Sequence, residues 1–369
     1  MLGYFFVHRI EHLMQYFIRN VLKRLVFLFL LGLSSLGFAS TKPLVRIGVY
    51  APFSGPFAMV GQSMLNAMKL ARLDFKSSPY QYRFYPLDQM AAGETEKKRL
   101  HAFVQKNKIA ILISEGSVGG GLARQEANDN EIIHVSLASD PTIADGRYNF
   151  LFWSPASEQA TVMARQLVKK NIHTIGLVRV NHPWADVIGD ALINALQKAR
   201  IKVVLNVKFA ADTTHFTPII NQMKNSNADI FFFMGFKQNM VPWREAMVKA
   251  KLQQPITGII ERLSPEVKQV FEGQWYVDTR DMSPDFVKRY QQQYQQIPVT
   301  EGGYAYDTFT MLAKSMNKAG MKADQIAKEL HTLHKGNGVM GPFSVQNNGI
   351  IFSESVVKTI HKGQSILVK

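Results

Sequence analysis

The chain has no cysteine among its 369 residues. This removes disulfides, thiolate metal sites and a cysteine nucleophile together. It is compatible with export, because a chain long enough for two cores does not need disulfide staples. Also missing are a Gly-x-Ser-x-Gly elbow, a phosphate-cradling Walker loop and a His-Glu-x-x-His pair. With no nucleophile or cofactor motif, hydrolase and dehydrogenase readings are disfavoured. No catalytic residue, metal or cofactor is expected. His331 and His334 lie three apart with no third ligand evident nearby and read as surface histidines. Asp186 and Asp190 share one helix face and read as solvating charges.

Long apolar runs are scarce as well. Beyond residue 40 none has the length of a membrane-crossing helix, so a soluble mature protein is expected. The one apolar stretch of note is at the start. Arg19, Lys23 and Arg24 precede Leu25–Phe38, which ends in Gly37-Phe38-Ala39-Ser40. Basic, apolar, then small residues is the pattern of a secretory signal peptide, here residues 1–39 with cleavage near Ala39. An uncleaved anchor is the alternative, although the run is short for a bilayer. Met14 is an alternative start that would give the segment an ordinary length. With no cysteine after the run, a lipid anchor is not expected. The formal net charge is +15, of which residues 1–39 supply +3 through Arg9, Arg19, Lys23 and Arg24 against Glu11. The mature chain is therefore about +12, but the charges are dispersed. The longest basic run, Lys97-Lys98-Arg99, falls inside a predicted helix and reads as a solvated face rather than a nucleic-acid patch.

From Leu44 to Val277 short β-rich runs alternate with amphipathic stretches. Strands are predicted at Leu44–Tyr50, Tyr82–Leu87, Ile109–Ser114, Ile132–Ser136, His173–Val180, Val203–Phe209, Ile230–Gly235, Ile256–Ile260 and Gln274–Val277. Helices fill the gaps, the first near 61–76 and the third near 119–129. Such alternation gives parallel sheets covered by helices, and nine strands are too many for one ordinary domain. A break is expected at Phe152–Ser157, where Ser157 would cap a new helix. Residues 285–333 are almost purely helical and must pack on a sheet already made. The tail from Val339 returns to a β pattern with turns at Gly341-Pro342 and Asn347-Asn348-Gly349.

Three loops carry the functional signal. The first follows Leu44–Tyr50 and reads Pro52-Phe53-Ser54-Gly55-Pro56, then opens a helix near Gly61. Hydroxyls and small residues at the carboxyl end of a parallel strand are where open α/β sheets bind ligands. The second, Ser114–Gly121, offers backbone N–H groups and a helix N-terminus suited to an anion. Gly116, Gly119 and Gly121 crudely imitate a dinucleotide fingerprint, but the spacing is wrong and the loop follows a third strand. The third, His134-Val-Ser-Leu-Ala-Ser-Asp-Pro-Thr, reads either as plain turn chemistry or as another ligand loop.

The first loop resembles that of the type I periplasmic solute-binding proteins, the Leu/Ile/Val-binding family of ABC importers. That family's pattern is Pro-x-Ser/Thr-Gly-x-x-Ala-x-x-Gly, and Pro52, Ser54, Gly55, Ala58 and Gly61 fall on it. Val339–Val345 with Asn347-Asn348-Gly349 resembles the family's closing hairpin. The resemblance implies an α/β fold of two Rossmann-like lobes joined by three crossovers, with the ligand in the cleft between them. Residues 40–155 plus 279–339 would form the N-terminal lobe and 156–278 plus 340–369 the C-terminal lobe.

The same resemblance implies the site. Ser117 matches the first of two family serines, and Val118 stands where the second is usual, beside Gly119. Ala138 and Ser139 match the next ligand loop. Trp184 takes the place of a stacking aromatic, and Phe236 that of a family tyrosine without its hydroxyl. Glu261 lies near an acidic residue that pairs with a ligand ammonium, and Val60 completes the expected ligand-binding set. Helix-capping core tryptophan and solvated loop glutamate are the plain alternatives for Trp184 and Glu261. The implied function is a periplasmic, monomeric binding protein that captures an amino acid or related small carboxylate and delivers it to an inner-membrane ABC importer permease. A ligand sensor or envelope regulator on the same fold is the rival.

Overall fold

Leu44–Ala51 reads LVRIGVYA, and its last five residues are all buried. A strand buried on both faces belongs inside a parallel sheet. This strand, β1, pairs in parallel with β2 (Gln81–Asp88) on one side and β3 (Ile111–Glu115) on the other. Then follow β4 (Ile133–Leu137) and β5 (Asn149–Trp153), also parallel. This arrangement comes from a computed structural model that describes residues 42–90, 92–260 and 264–368, with Met14, Phe17, Arg19, Val21 and Leu22 before them. Apart from those five, the expected signal segment 1–39 lies outside the described residues, as does Glu261. The chain separates into Met1–Pro43 and Leu44–Lys369, and the fold described is that of the second unit. No helix among the described residues is long and apolar enough to cross a membrane.

The first sheet has eight strands in the order β11-β12-β13-β5-β4-β3-β1-β2, where β11 is Gly336–Gly338, β12 Gly341–Val345 and β13 Ile350–Ser353. The second has four parallel strands, β7-β6-β8-β9: β6 is Thr174–Val180, β7 Lys202–Phe209, β8 Ile230–Met234 and β9 Ile256–Thr257. A bridge from Ile259 to Val277 links it to β10 (Trp275–Thr279), which pairs antiparallel with β14 (Ser355–His361), itself paired with β15 (Gln364–Leu367). The helices are α1 (Ala58–Leu73), α2 (Glu94–Asn107), α3 (Ser117–Asn130), α4 (Ala156–Lys169), α5 (Pro183–Lys198), α6 (Thr217–Lys224), α7 (Lys237–Lys249), α8 (Pro265–Val270), α9 (Pro284–Tyr294), α10 (Thr300–Ala319) and α11 (Ala323–His331). The two sheets have separate apolar cores, one holding Ile47, Ile113 and Phe309, the other Leu177, Phe233 and Trp243.

The late helices go back to the first sheet. Helix α10 lies along α1, and Ser63 Oγ accepts the Val299 N–H at 3.1 Å just before α10 begins. Several expectations shift. The sequence run Asn149–Trp153 forms a further strand, β5, every residue of it buried. Helix α3 opens at Ser117, not near 119. The helix after the first crossover starts at Ala156 with Pro155 at its cap, because proline fixes the entry dihedral; Ser157 is an exposed residue inside the first turn and caps nothing. The last return to the second lobe, into β14, falls at Glu354, not at 339–340. The hairpin β12–β13 stays with the first sheet because Ile350, Ile351 and Phe352 pair in parallel with Leu151, Phe152 and Trp153.

Three chain crossings therefore join the sheets: Ser154-Pro155, 280–283 and Glu354. They are tied to one another. The hydroxyls of Ser154 and Ser355 lie 2.5 Å apart, and Arg280 meets Glu354 at 2.5 Å. Buried Lys358 on β14 reaches Asp278 at 2.9 Å and Asp281 at 2.7 Å.

Candidate functional site at the paired switch points

Both sheets carry the strand order that makes a ligand crevice. In the first, the order β2-β1-β3-β4-β5 sends the connections after β1 and β3 to opposite faces. In the second, β7-β6-β8-β9 does the same after β6 and β8. The carboxyl ends of such strand pairs leave an open crevice. At the first switch point lie the turn 52–57 and the N-terminus of α3. At the second lie His182, Trp184 and Phe236.

The turn after β1 is held from below. Asp88, at the end of β2, accepts the N–H groups of Phe53 at 2.6 Å and Ser54 at 3.2 Å. Burial pushes the Asp88 pKa up, but hydrogen bonds from Ser54 and Phe53 outweigh it and hold the carboxyl below its usual range. Gly61 donates to the Pro52 carbonyl at 3.0 Å, and a Cβ on Gly61 would stand 2.3 Å from that oxygen. The glycine ending the turn motif is thus fixed by close backbone approach. Gln89 braces the crevice from the side: its Nε2 donates to the carbonyls of Tyr50 and Glu115, each at 2.9 Å, tying the ends of β1 and β3. A Cβ on Gly119 would lie 2.2 Å from that nitrogen, so this position in α3 is kept small by Gln89.

The two lobes meet through rings. Phe57, from the turn after β1, lies 5.8 Å centroid to centroid from Phe236, which follows β8. Phe236 stacks at 6.3 Å on Trp184 and meets His182 edge-on at 5.5 Å. Helices α3 and α5, one from each lobe, also pack against each other. Two polar atoms in this region, Ser117 Oγ and Trp184 Nε1, are buried with no hydrogen-bond partner among the described residues. Unpaired buried polar atoms are costly and mark places where a ligand or water completes the bonding.

A family model for periplasmic binding proteins matches residues 44–358. The chain belongs to the periplasmic binding protein family. Among solved structures, a leucine-binding protein LivK from Thermotoga maritima is 18% identical, with a TM-score of 0.78 over 88% of this chain and 98% of that one. LivJ from Streptococcus pneumoniae, in complex with isoleucine, is 17% identical, with a TM-score of 0.76 over 87% and 97%. An ABC-transporter solute-binding protein from Rhodopseudomonas palustris, in complex with p-hydroxybenzoic acid, is 16% identical, with a TM-score of 0.78 over 88% and 96%. The fold is that of the type I periplasmic binding proteins.

In this periplasmic binding protein the expected site residues fall into distinct settings. Ser117, Val118 and Gly119 form the first turn of α3, so their N–H groups precede the helix's own bonding. Trp184 is in the first turn of α5, and Phe236 is the residue at the start of α7. These are brought to the two switch points. Ala138 and Ser139 are buried just beyond β4, where Ser139 Oγ accepts from Gln159 at 3.3 Å. Val60 is fully buried in α1 against the first core. Glu261 lies outside the described residues. Phe57, Gln89 and His182 were not anticipated. Phe57 could have been marked as an aromatic residue placed in a turn one position before a helix, and His182 as the cap before Pro183.

One further cluster imitates a hydrolytic triad. Ser114 Oγ lies 2.8 Å from His134 Nε2, and His134 Nδ1 lies 2.8 Å from Asn149 Oδ1. Asn149 Nδ2 is committed to Asn128 and Asp145, so its oxygen faces the histidine, and the proton sits on Nδ1. All three residues are wholly buried, and burial pushes the His134 pKa down to about 4. The hydroxyl has no path to a substrate. The cluster is a polar strut beneath the first turn of α3, whose Gly120 has no room for a Cβ, which would lie 2.4 Å from Ser136 Oγ.

Proposed function

We propose that this chain is an extracytoplasmic solute-binding protein that captures a small carboxylate, an amino acid or a related acid, between its lobes and delivers it to an ABC importer permease. The carboxylate would sit at the N-terminus of α3, on the Ser117 hydroxyl and the N–H groups of Val118 and Gly119. The apolar part would lie against Trp184 and Phe236. The observation that carries this reading is the pair of unpartnered polar atoms, Ser117 Oγ and Trp184 Nε1, at the switch points of two sheets that meet through Phe57 and Phe236. Family membership and the ligands named with similar structures support it. In this reading the signal segment is removed near Ala39, the protein works as a monomer in the periplasm, and the lobes hinge on the three crossings.

A thermal-shift screen over amino acids, aromatic acids, short peptides, sugars and nucleosides tests the proposal. A ligand at a hundredfold excess over its Kd stabilises the fold by about 2.7 kcal/mol, a readable rise in Tm. The proposal expects that rise with small carboxylates. A response confined to uncharged sugars or nucleosides would contradict it.

A further inference from the structure

His182 stands at the second switch point, directly before Pro183, the first residue of α5. Its Nδ1 accepts the Trp184 N–H at 3.3 Å and so caps the helix. A nitrogen that accepts carries no proton, so the neutral ring holds its proton on Nε2. Burial lowers the His182 pKa and keeps the ring neutral, with Asp186 opposing only in part. Asp186 itself is 2.6 Å from Lys208 Nζ. The ring meets Phe236 edge-on at 84°, and Phe236 touches Phe57 of the other lobe, so His182 borders the place where the lobes approach. Among the described residues nothing accepts a hydrogen bond from its Nε2.

We propose that His182 is a specificity-determining residue: its Nε2–H, oriented by the cap that Nδ1 makes, donates to an acceptor atom on the end of the ligand that Trp184 and Phe236 enclose. This deepens the proposed function and rests on it. The ligand class becomes a small carboxylate with a second oxygen at its far, otherwise apolar end. A ring carrying an ether or hydroxyl opposite the carboxylate fits, and a purely hydrocarbon side chain does not use the donor.

The test pairs 4-methoxybenzoate, whose far oxygen only accepts, with benzoate, in calorimetric titrations of wild type, His182→Asn and His182→Phe. Asparagine keeps a good helix cap, and phenylalanine keeps the ring without cap or donor. Wild type should prefer 4-methoxybenzoate by about three- to tenfold, and both variants should fall to within about twofold. Long-range 15N–1H correlation on the wild type should show the Nε2–H tautomer, with an Nε2 shift when 4-methoxybenzoate is added. This arm decides the matter if the variants fold poorly. An Nδ1–H tautomer, or a preference unchanged in His182→Asn, would overturn the inference. Wild type binding carboxylates with no such preference would overturn it alone, whereas wild type binding no carboxylate would overturn the proposed function with it.

Discussion

The two lobes present opposite chemistry to the same cleft. The first offers backbone N–H groups, the Ser117 hydroxyl and the amide clamp of Gln89, over a polar strut of Ser114, His134 and Asn149. The second offers Trp184, Phe236 and the edge of His182, over a stack in which Phe233 lies 4.2 Å from Trp243 and 5.4 Å from Phe209. Both sheets share one strand order, so topology does not create this difference. Side chains at equivalent strand ends do. Under the proposed function the lesson is a division of labour, in which one lobe would fix where a charge can sit and the other would set the size and shape of what accompanies it.

The sharpest way to break that comparison is to remove the apolar side. Trp184→Ala should weaken carboxylate binding by about 2–4 kcal/mol, at least thirtyfold, as for a central aromatic anchor. Titration calorimetry reads this directly. An affinity within threefold of wild type would make Trp184 a structural residue only.

The first lobe should also respond to acid, through two buried groups that act in opposite senses. His134 titrates near 4 in the fold and near 6.5 when unfolded. Between those values the unfolded chain holds a proton that the fold excludes, so stability is lost as pH falls from about 6.5 to about 4. The advantage of wild type over His134→Gln should therefore shrink by about 3 kcal/mol across that window, as measured by urea unfolding at each pH. Asp307 runs the other way. Burial outweighs its bonds from the Val339 and Met340 N–H groups and raises its pKa to about 6. Its contribution grows as pH falls from 6 to about 4, which is why the His134 effect must be read as a difference between proteins. An advantage independent of pH would remove the strut from the account.

Next in size is the brace at the first switch point. Gly119→Ala puts a methyl where Gln89 Nε2 stands, and Gln89 cannot move without releasing two carbonyls. A loss of about 1–3 kcal/mol in stability is expected from overpacking and broken bonds. An unchanged Tm would show that Gln89 gives way freely.

Much of this architecture was legible locally. The turn from Pro52 to Gly61 could be read from its small residues, among which Gly55 takes a positive φ of 68° and Gly61 lies under the Pro52 carbonyl. Strands such as Ile230–Met234 announce themselves by continuous apolar character. The hairpin Gly341–Ser353, expected with the C-terminal lobe, joins the first sheet instead, because its partner, Leu151–Trp153, lies some two hundred residues earlier and local pattern carries no pairing information. The same holds for Phe57 and His182. Each looks like an ordinary turn or cap residue until Phe236, distant in sequence from both, is placed beside it. Val60 shows the converse, a position matched by resemblance whose side chain is wholly in the core.

The smallest expected effect concerns the polar side. Ser117→Ala should cost about 1 kcal/mol of carboxylate affinity and leave Tm unchanged, because Ser117 Oγ has no partner among the described residues to lose. A fall in Tm without a change in affinity would move Ser117 from the cleft to the scaffold.

The division of labour itself is tested most directly by titrating the tightest carboxylate from the screen beside its primary amide, against wild type, Ser117→Ala and Trp184→Ala. The account predicts that wild type prefers the acid by tenfold or more, that Ser117→Ala narrows this preference, and that Trp184→Ala weakens acid and amide equally. Equal affinity of wild type for acid and amide, or a preference that disappears with Trp184 and not with Ser117, would contradict it.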